Sequence, residues 1–144
     1  MAQHQSVLVT SYTHNAVDTV LLKLKRLGVP FLRFGRRSSV ARELHEHVLD
    51  ESTDEFASTK ELERRLKAQL VFGATCLGVH DTAASMTYDW CVVDEASQIT
   101  VPVVLVPLLR ARRFVLIGDH NQLPPLVRCA EAREHGLGDS LFHV

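Results

Sequence analysis

The sequence predicts an α/β layered domain with a mainly parallel sheet and flanking helices. Three observations carry that prediction. Short apolar runs alternate with helix-period segments along the chain, the order that builds βαβ units. The apolar runs are nearly continuous in hydrophobicity, as strands buried on both faces must be. Capping and turn-forming residues stand at several of the boundaries between them.

The first strand is read over Ser6 to Thr10 (SVLVT), a β-rich run. Val17, Val20, Leu21, Leu24 and Leu27 follow at i, i+3, i+4 spacing and predict an amphipathic helix. Asn15 with Asp18 three residues on resembles a capping box at its start, and Gly28 followed by Pro30 ends it. Phe31 to Phe34 is the second strand. Ser38 to Phe56 is polar and expected to be helical in part. Ser58 with Glu61 forms a better capping box, for a helix carrying Leu62 and Leu66. Leu70 to Thr75 and Asp89 to Val93 are further strands. Thr100 caps a short helix that tolerates Pro102 in its first turn. Phe114 to Ile117 is the last strand, and Asp139 is expected to open a final helix. Repeats, low-complexity tracts and linkers are absent from the sequence.

At 144 residues, with 46% hydrophobic and 23% charged residues, the sequence has the size and composition of one globular domain. Such a chain buries roughly 70% of the surface its unfolded form exposes. The net charge of −1 gives no bulk attraction to nucleic acid or an anionic membrane. No apolar run approaches the ~20 residues of a membrane span, and the opening residues lack a signal-peptide pattern. A membrane protein, a disordered tail and a multidomain machine are therefore not expected. Cys76, Cys91 and Cys129 are odd in number and form no C-x-x-C pair, which suggests neither a disulfide framework nor a zinc site and points inside the cell. Cys91, in an apolar run, is read as a core residue. His45 and His47 are the only close histidine pair and show no metal-selecting spacing.

The near-neutral total hides segregated charge. Seven basic residues and no acidic one lie between Thr19 and Arg42: Lys23, Lys25, Arg26, Arg33, Arg36, Arg37 and Arg42. Eight acidic residues against the single Lys60 lie between Glu43 and Glu63, and a third basic group is Arg110, Arg112 and Arg113. Blocks of this kind are read first as solvated faces, with a phosphate-contacting patch as the alternative.

Two motifs carry the chemistry. Asp94 and Glu95 follow the apolar strand Cys91-Val92-Val93 at once and are followed by Ala96-Ser97-Gln98. Open α/β sheets bind ligands at such strand ends. In phosphoryl transfer one carboxylate holds Mg²⁺, directly or through water, and another group orients the attacking water. Asp94 is the natural metal partner and Glu95 the natural base. Taken alone, the pair would serve equally as a helix cap on the positive end of the dipole. The second motif, Gly118-Asp119-His120-Asn121-Gln122-Leu123-Pro124-Pro125, follows the last strand. Gln122 can donate to a phosphate oxygen and accept from a water, so it can sense a terminal phosphate. A Gly-Asp turn closed by Pro-Pro is the plainer account of that segment alone. The two motifs together weigh far more than either.

DEASQ followed by GDHNQLPP resembles motifs II and III of superfamily 1 helicases of the 1B branch, whose motor lobes are RecA-like P-loop NTPase folds. The resemblance runs over essentially all 144 residues and implies ATP and Mg²⁺ as cofactors, with Asp94, Asp119 and Gln122 at the nucleotide, Asp94 at the metal, and Glu95 and Gln122 in catalysis. Leu8 to Asp18 (LVTSYTHNAVD) resembles motif Ia, which in that family grips single-stranded nucleic acid; this implies Thr10, Thr13, His14 and Asn15 as contacts. Gly73-Ala74-Thr75-Cys76 resembles a later backbone-contacting segment, with Thr75 as its contact. From the residues alone, the free amides and small donors at a helix start suit phosphate, while Thr13 and Asn15 serve as well as plain caps.

The wording TSYTHNAVD, VVDEASQIT and GDHNQLPPLV most resembles the eukaryotic helicase/nucleases that process Okazaki fragments and resect broken ends. That implies an ATP-dependent enzyme moving 5′ to 3′ on single-stranded DNA, in the nucleus and also the mitochondrion, with no membrane partner. The related 1B RNA helicases of mRNA surveillance are the alternative, and a non-catalytic remnant the third.

The departures matter as much. A P-loop needs G-x-x-x-x-G-K-[ST], and no Gly-Lys pair occurs here; Gly73 and Gly78 have the spacing but Val79-His80 follows. Residues 1–144 are thus expected to be a single partial motor lobe, from motif Ia to just after motif III. The resemblance implies that the P-loop strand, which pairs with the motif III strand, lies outside it. The second motor lobe, and a nuclease domain with its iron–sulfur cluster, lie outside it too. The chain alone is expected to be marginally stable, with an unpaired apolar edge at Phe114 to Ile117, and without ATPase activity.

Overall fold

A computed structural model describes residues 5–50, 59–79, 81–119 and 121–143. Its strands are β1 (Val7–Ser11), β2 (Phe31–Phe34), β3 (Val48–Leu49), β4 (Val71–Thr75), β5 (Tyr88–Val93) and β6 (Ala111–Leu116). They form one sheet in the order β3-β2-β4-β1-β5-β6, with every neighbouring pair parallel. The main helices are α1 (His14–Arg26), α2 (Thr59–Lys67), α3 (Asp81–Ser85) and α4 (Val101–Leu108). Among the described residues, no helix is long and apolar enough to cross a membrane.

Successive strand residues face opposite sides, so a parallel sheet covered on both sides needs apolar residues at consecutive positions. In β2, Phe31 joins Val17, Leu21, Val40, Leu44 and Val48 in one core, whereas Leu32 and Phe34 join Leu8, Phe72, Tyr88, Cys91 and Val93 in the other. The second core also takes Val104 and Leu108 from α4 and Leu62 and Leu66 from α2. Gly73 lets α1 lie close on β4: a Cβ there would stand 2.6 Å from Leu21 Cδ1.

Most predicted elements stand within a residue or two, and the differences have physical causes. Helix α1 starts at His14, capped by Thr13, whose Oγ1 accepts from the Ala16 N–H at 3.2 Å. The Asn15–Asp18 capping box is therefore absent. The earlier start turns Asp18 onto the buried face of α1, where Arg33 and the Ala41 N–H hold its carboxylate. The predicted partner of Glu61, Ser58, lies outside the described residues; Glu61 pairs with Arg64 of its own helix at 2.7 Å. The polar stretch from Ser38 is two short 3₁₀ segments, Arg37–Ser39 and Arg42–His47, followed by β3; residues 51–56 lie outside the described set. Thr100 precedes α4 but its side chain makes no capping bond. Asp139 opens no helix: Ser140 pairs with Thr100 in an isolated antiparallel bridge instead.

Strand β6 begins three residues before the predicted Phe114, so Arg112 and Arg113 are strand residues. Their charge hid the strand, and the edge position allows it: Arg113 lies over the Trp90 ring at 5.3 Å. Among the described residues β6 pairs only with β5, and Phe114 and Val115 are exposed along it, as the sequence led us to expect. The basic block is not wholly solvated either, for Arg33 is completely buried.

Candidate active site at the strand ends

Because the strands run in parallel, their C-terminal ends bring separate loops to one edge of the sheet. Beyond β5, the Asp94 N–H donates to the Thr10 carbonyl at 2.9 Å, which fixes the residue against the end of β1. Its Oδ1 accepts from the Glu95 N–H at 3.0 Å, and among the described residues Oδ2 has no hydrogen-bond partner. Glu95 has φ 55° and ψ 35°, the only non-glycine residue in the left-handed region among those described. That conformation costs about 1–2 kcal/mol for a residue with a Cβ, and such strain gathers at functional sites. It turns the chain sharply, so that the Ala96 N–H reaches the Ile117 carbonyl at 2.8 Å.

The turn after β5 is thereby tied to the turn after β6. The Asp119 N–H donates to Ser97 Oγ at 3.4 Å, and Gln98 Nε2 donates to Gln122 Oε1 at 3.2 Å. Gly118 permits this approach, since a Cβ there would lie 2.9 Å from the Ser97 nitrogen. Asp119 shapes its own loop: Oδ1 accepts from the Asn121 N–H at 2.9 Å and its carbonyl from the Gln122 N–H at 3.1 Å. A cleft of about 320 Å³ opens beside Ser97, Gln122 and Pro124 and reaches Asp139 and His143. Sequence reasoning named Asp94, Glu95, Asp119 and Gln122 but missed Ser97, Gln98 and Gly118. Their signal was present, because all three lie inside the two motifs.

The donor set fits Mg²⁺. No group of three His, Cys, Asp or Glu side chains among the described residues forms a metal cage. Mg²⁺ needs none: it keeps several waters and binds through one or two carboxylates together with substrate phosphates. Asp94, with one oxygen engaged and one open, suits that role. An iron–sulfur cluster does not fit here, since Cys76 and Cys91 are buried in the core and Cys129 is exposed elsewhere. Burial and the neighbouring Cys76 push the Cys91 thiol up to about 12.

The motif before α1 divides in two. Thr13, His14 and Asn15 are exposed at the helix start. Thr10 is fully buried, and its Oγ1 donates to Cys76 Sγ at 3.5 Å. Thr75 is also buried, its Oγ1 2.7 Å from where a Cβ on Gly78 would stand. Both belong to strands inside the sheet, so their hydroxyls pack beneath the surface instead of lying on it. Desolvation and Arg33 hold the His14 imidazole below its ordinary pKa.

Residues 57–129, just over half of the chain and including both strand-end motifs, match the family pattern of the AAA domain. The chain belongs to the AAA domain family. Its parallel sheet with flanking helices is that of a RecA-like α/β P-loop lobe. This AAA domain chain is 51% identical over 144 residues to the DNA replication ATP-dependent helicase/nuclease of Xenopus laevis, covering 95% of the chain and 13% of that protein. It is 46% identical to the protein of the same name from Homo sapiens, again over 95% of the chain and 13% of the relative. With that of Saccharomyces cerevisiae the identity is 38%, over 99% of the chain and 9% of the relative. The chain thus spans about an eighth or less of the length of these curated relatives.

Proposed function

We propose that residues 1–144 form part of the first motor lobe of an ATP-dependent DNA helicase/nuclease. In this reading ATP is hydrolysed at the β5–β6 end of the sheet, and single-stranded DNA is gripped at the start of α1. The observation that carries it is the joining of the two strand-end turns through Ser97 to Asp119 and Gln98 to Gln122. A carboxylate pair alone is a helix cap. A carboxylate pair coupled to an amide that can read a phosphate is a means of relaying nucleotide state.

Asp94 would hold Mg²⁺ through its open oxygen, directly or through a bound water; the cation supplies neutralisation of charge on the phosphate oxygens. Glu95, next to it and held out by its left-handed backbone, orients the attacking water and takes its proton. Gln122 contacts the terminal phosphate or the water, and Asp119 holds the loop that carries Gln122. Thr13, His14 and Asn15 offer donors to the nucleic-acid backbone, while Thr10 and Thr75 support that surface from below. The phosphate-cradling loop, the second motor lobe and a nuclease domain with its iron–sulfur cluster belong to other parts of the full-length protein. The full-length enzyme works on nuclear DNA, with a mitochondrial pool as well, and moves 5′ to 3′.

The names of the relatives favour DNA over the RNA-helicase alternative. Phosphate release by the full-length protein, measured with Mg²⁺ and either single-stranded DNA or single-stranded RNA, tests this. Stimulation by DNA well above that by RNA is expected. Equal or greater stimulation by RNA would overturn the DNA assignment, and turnover that ignores both would overturn the motor reading.

A further inference from the structure

Arg33 sits in β2 with no exposed surface, and every donor group of its side chain is directed. Nε donates to Asp18 Oδ1 at 2.9 Å, Nη1 to the Phe34 carbonyl, and Nη2 faces His14 Nδ1 at 3.1 Å. Asp18 is itself buried, and its Oδ2 accepts from the Ala41 N–H at 2.8 Å. No local pattern signals this cluster, because Arg33 falls among basic residues and Asp18 near the start of a helix.

A guanidinium has only N–H donors, so the histidine nitrogen facing it must present a lone pair. His14 is then neutral at Nδ1 and carries its proton on Nε2. That nitrogen has no partner among the described residues, and His14 is exposed beside the Thr13 cap. Bracing by Arg33 leaves the ring one orientation and one free donor. We propose that Arg33, anchored by Asp18, is a positioning residue that fixes His14 as the Nε2–H tautomer, giving the β1–α1 turn a neutral hydrogen-bond donor for a nucleic-acid phosphate. The inference rests on the nucleic-acid reading of that turn. It goes beyond it in assigning a second layer of residues and a protonation state.

The charged groups acting on His14 are Arg33 from β2 and Asp18 from its own helix, and the arginine's effect is the larger of the two. A proton arriving at Nδ1 would meet an Arg33 N–H head on. Burial is the largest cause holding the His14 pKa down and Arg33 the next, so without Arg33 the imidazole would titrate higher.

Exchange of each imidazole C2 proton, followed by mass spectrometry of the full-length protein across pH, reads the titration of every histidine separately. His14 is expected to titrate below about 6.5 in the unaltered protein and to move up towards that value in Arg33→Gln. A His14 midpoint at or above the ordinary value in the unaltered protein, or one that Arg33→Gln leaves in place, overturns the proposal. Fluorescence anisotropy with a labelled single-stranded oligonucleotide supplies the second arm, on variants of an exposed residue that leave the buried pair intact. His14→Ala should weaken binding about tenfold, the scale of one hydrogen bond to a charged group, whereas His14→Gln, which keeps a donor, should stay within about twofold. Binding unchanged in His14→Ala would refute the phosphate contact. Failure of the unaltered protein to bind the oligonucleotide would instead sink the wider nucleic-acid reading, and the proposal with it.

Discussion

Gln98 Nε2 donates to Gln122 Oε1 at 3.2 Å, joining the turn after β5 to the turn after β6. Both side chains lie near the surface, so the bond adds little stability; its consequence is mechanical. Anything that moves Gln122 moves the segment carrying Asp94 and Glu95. We expect Gln98→Ala and Gln122→Ala, made in the full-length protein, each to lower DNA-stimulated ATP turnover by about tenfold, and the double variant to be no worse than the poorer single one. A double-variant cycle on turnover measures this. Strictly multiplicative losses would show that the two amides act separately.

Glu95 stores backbone strain in its left-handed conformation. Glycine adopts that region freely, so Glu95→Gly should raise stability by about 1 kcal/mol while abolishing hydrolysis. Thermal unfolding of the full-length protein beside an ATPase assay checks both halves. A destabilised Glu95→Gly protein would contradict the strain account.

The contact of α1 with β4 depends on the missing side chain of Gly73. Leu21 is fully buried against it, so Gly73→Ala should cost about 1–3 kcal/mol through overpacking. Leu21→Ala alone should cost about 2–5 kcal/mol, through lost burial and a cavity. Combined, the two should cost less than their sum, because the alanine methyl occupies part of the space that Leu21 leaves. Urea unfolding of the three variants reads the coupling, and simple additivity would disprove direct contact.

Stability should depend on pH through His14. Burial and Arg33 depress its pKa in the folded state, so the folded protein binds this proton less readily than the unfolded chain does. The contribution is complete above the unfolded value of about 6.5 and is lost as pH falls from there through the folded value. His14→Gln should flatten stability across that window, as denaturation midpoints between pH 5 and about pH 8 would register. An unchanged slope would assign the acid sensitivity to other groups.

The fold was legible wherever burial dictates sequence. Phe31 to Phe34 matches β2 residue for residue, because a strand covered on both faces has no room for polar residues unless they are paired. Arg33 is the paired exception, and its partner Asp18 is fifteen residues away, beyond the reach of any local pattern. β6 was read short because its first residues are charged, and an edge strand tolerates charge. At the site, Asp94, Glu95 and Gln122 could be named from the strand-then-polar-turn pattern. Ser97, Gln98 and Gly118 lie inside the same two motifs, but their role in joining the turns rests on the three-dimensional approach of segments more than twenty residues apart. Thr10 and Thr75 looked like surface donors because a strand's end residue gives no sign of which neighbour covers it.

The central claim is that Asp94 and Glu95 serve ATP hydrolysis and not merely the turn they occupy. The most direct measurement is nucleotide binding and phosphate release, side by side, by the full-length protein carrying Glu95→Gln. This variant preserves the size and backbone demands of the residue and removes only its charge and basicity. The account predicts ATP binding within about twofold of the unaltered protein and DNA-stimulated hydrolysis reduced by about a hundredfold or more. Hydrolysis at the unaltered rate would contradict it.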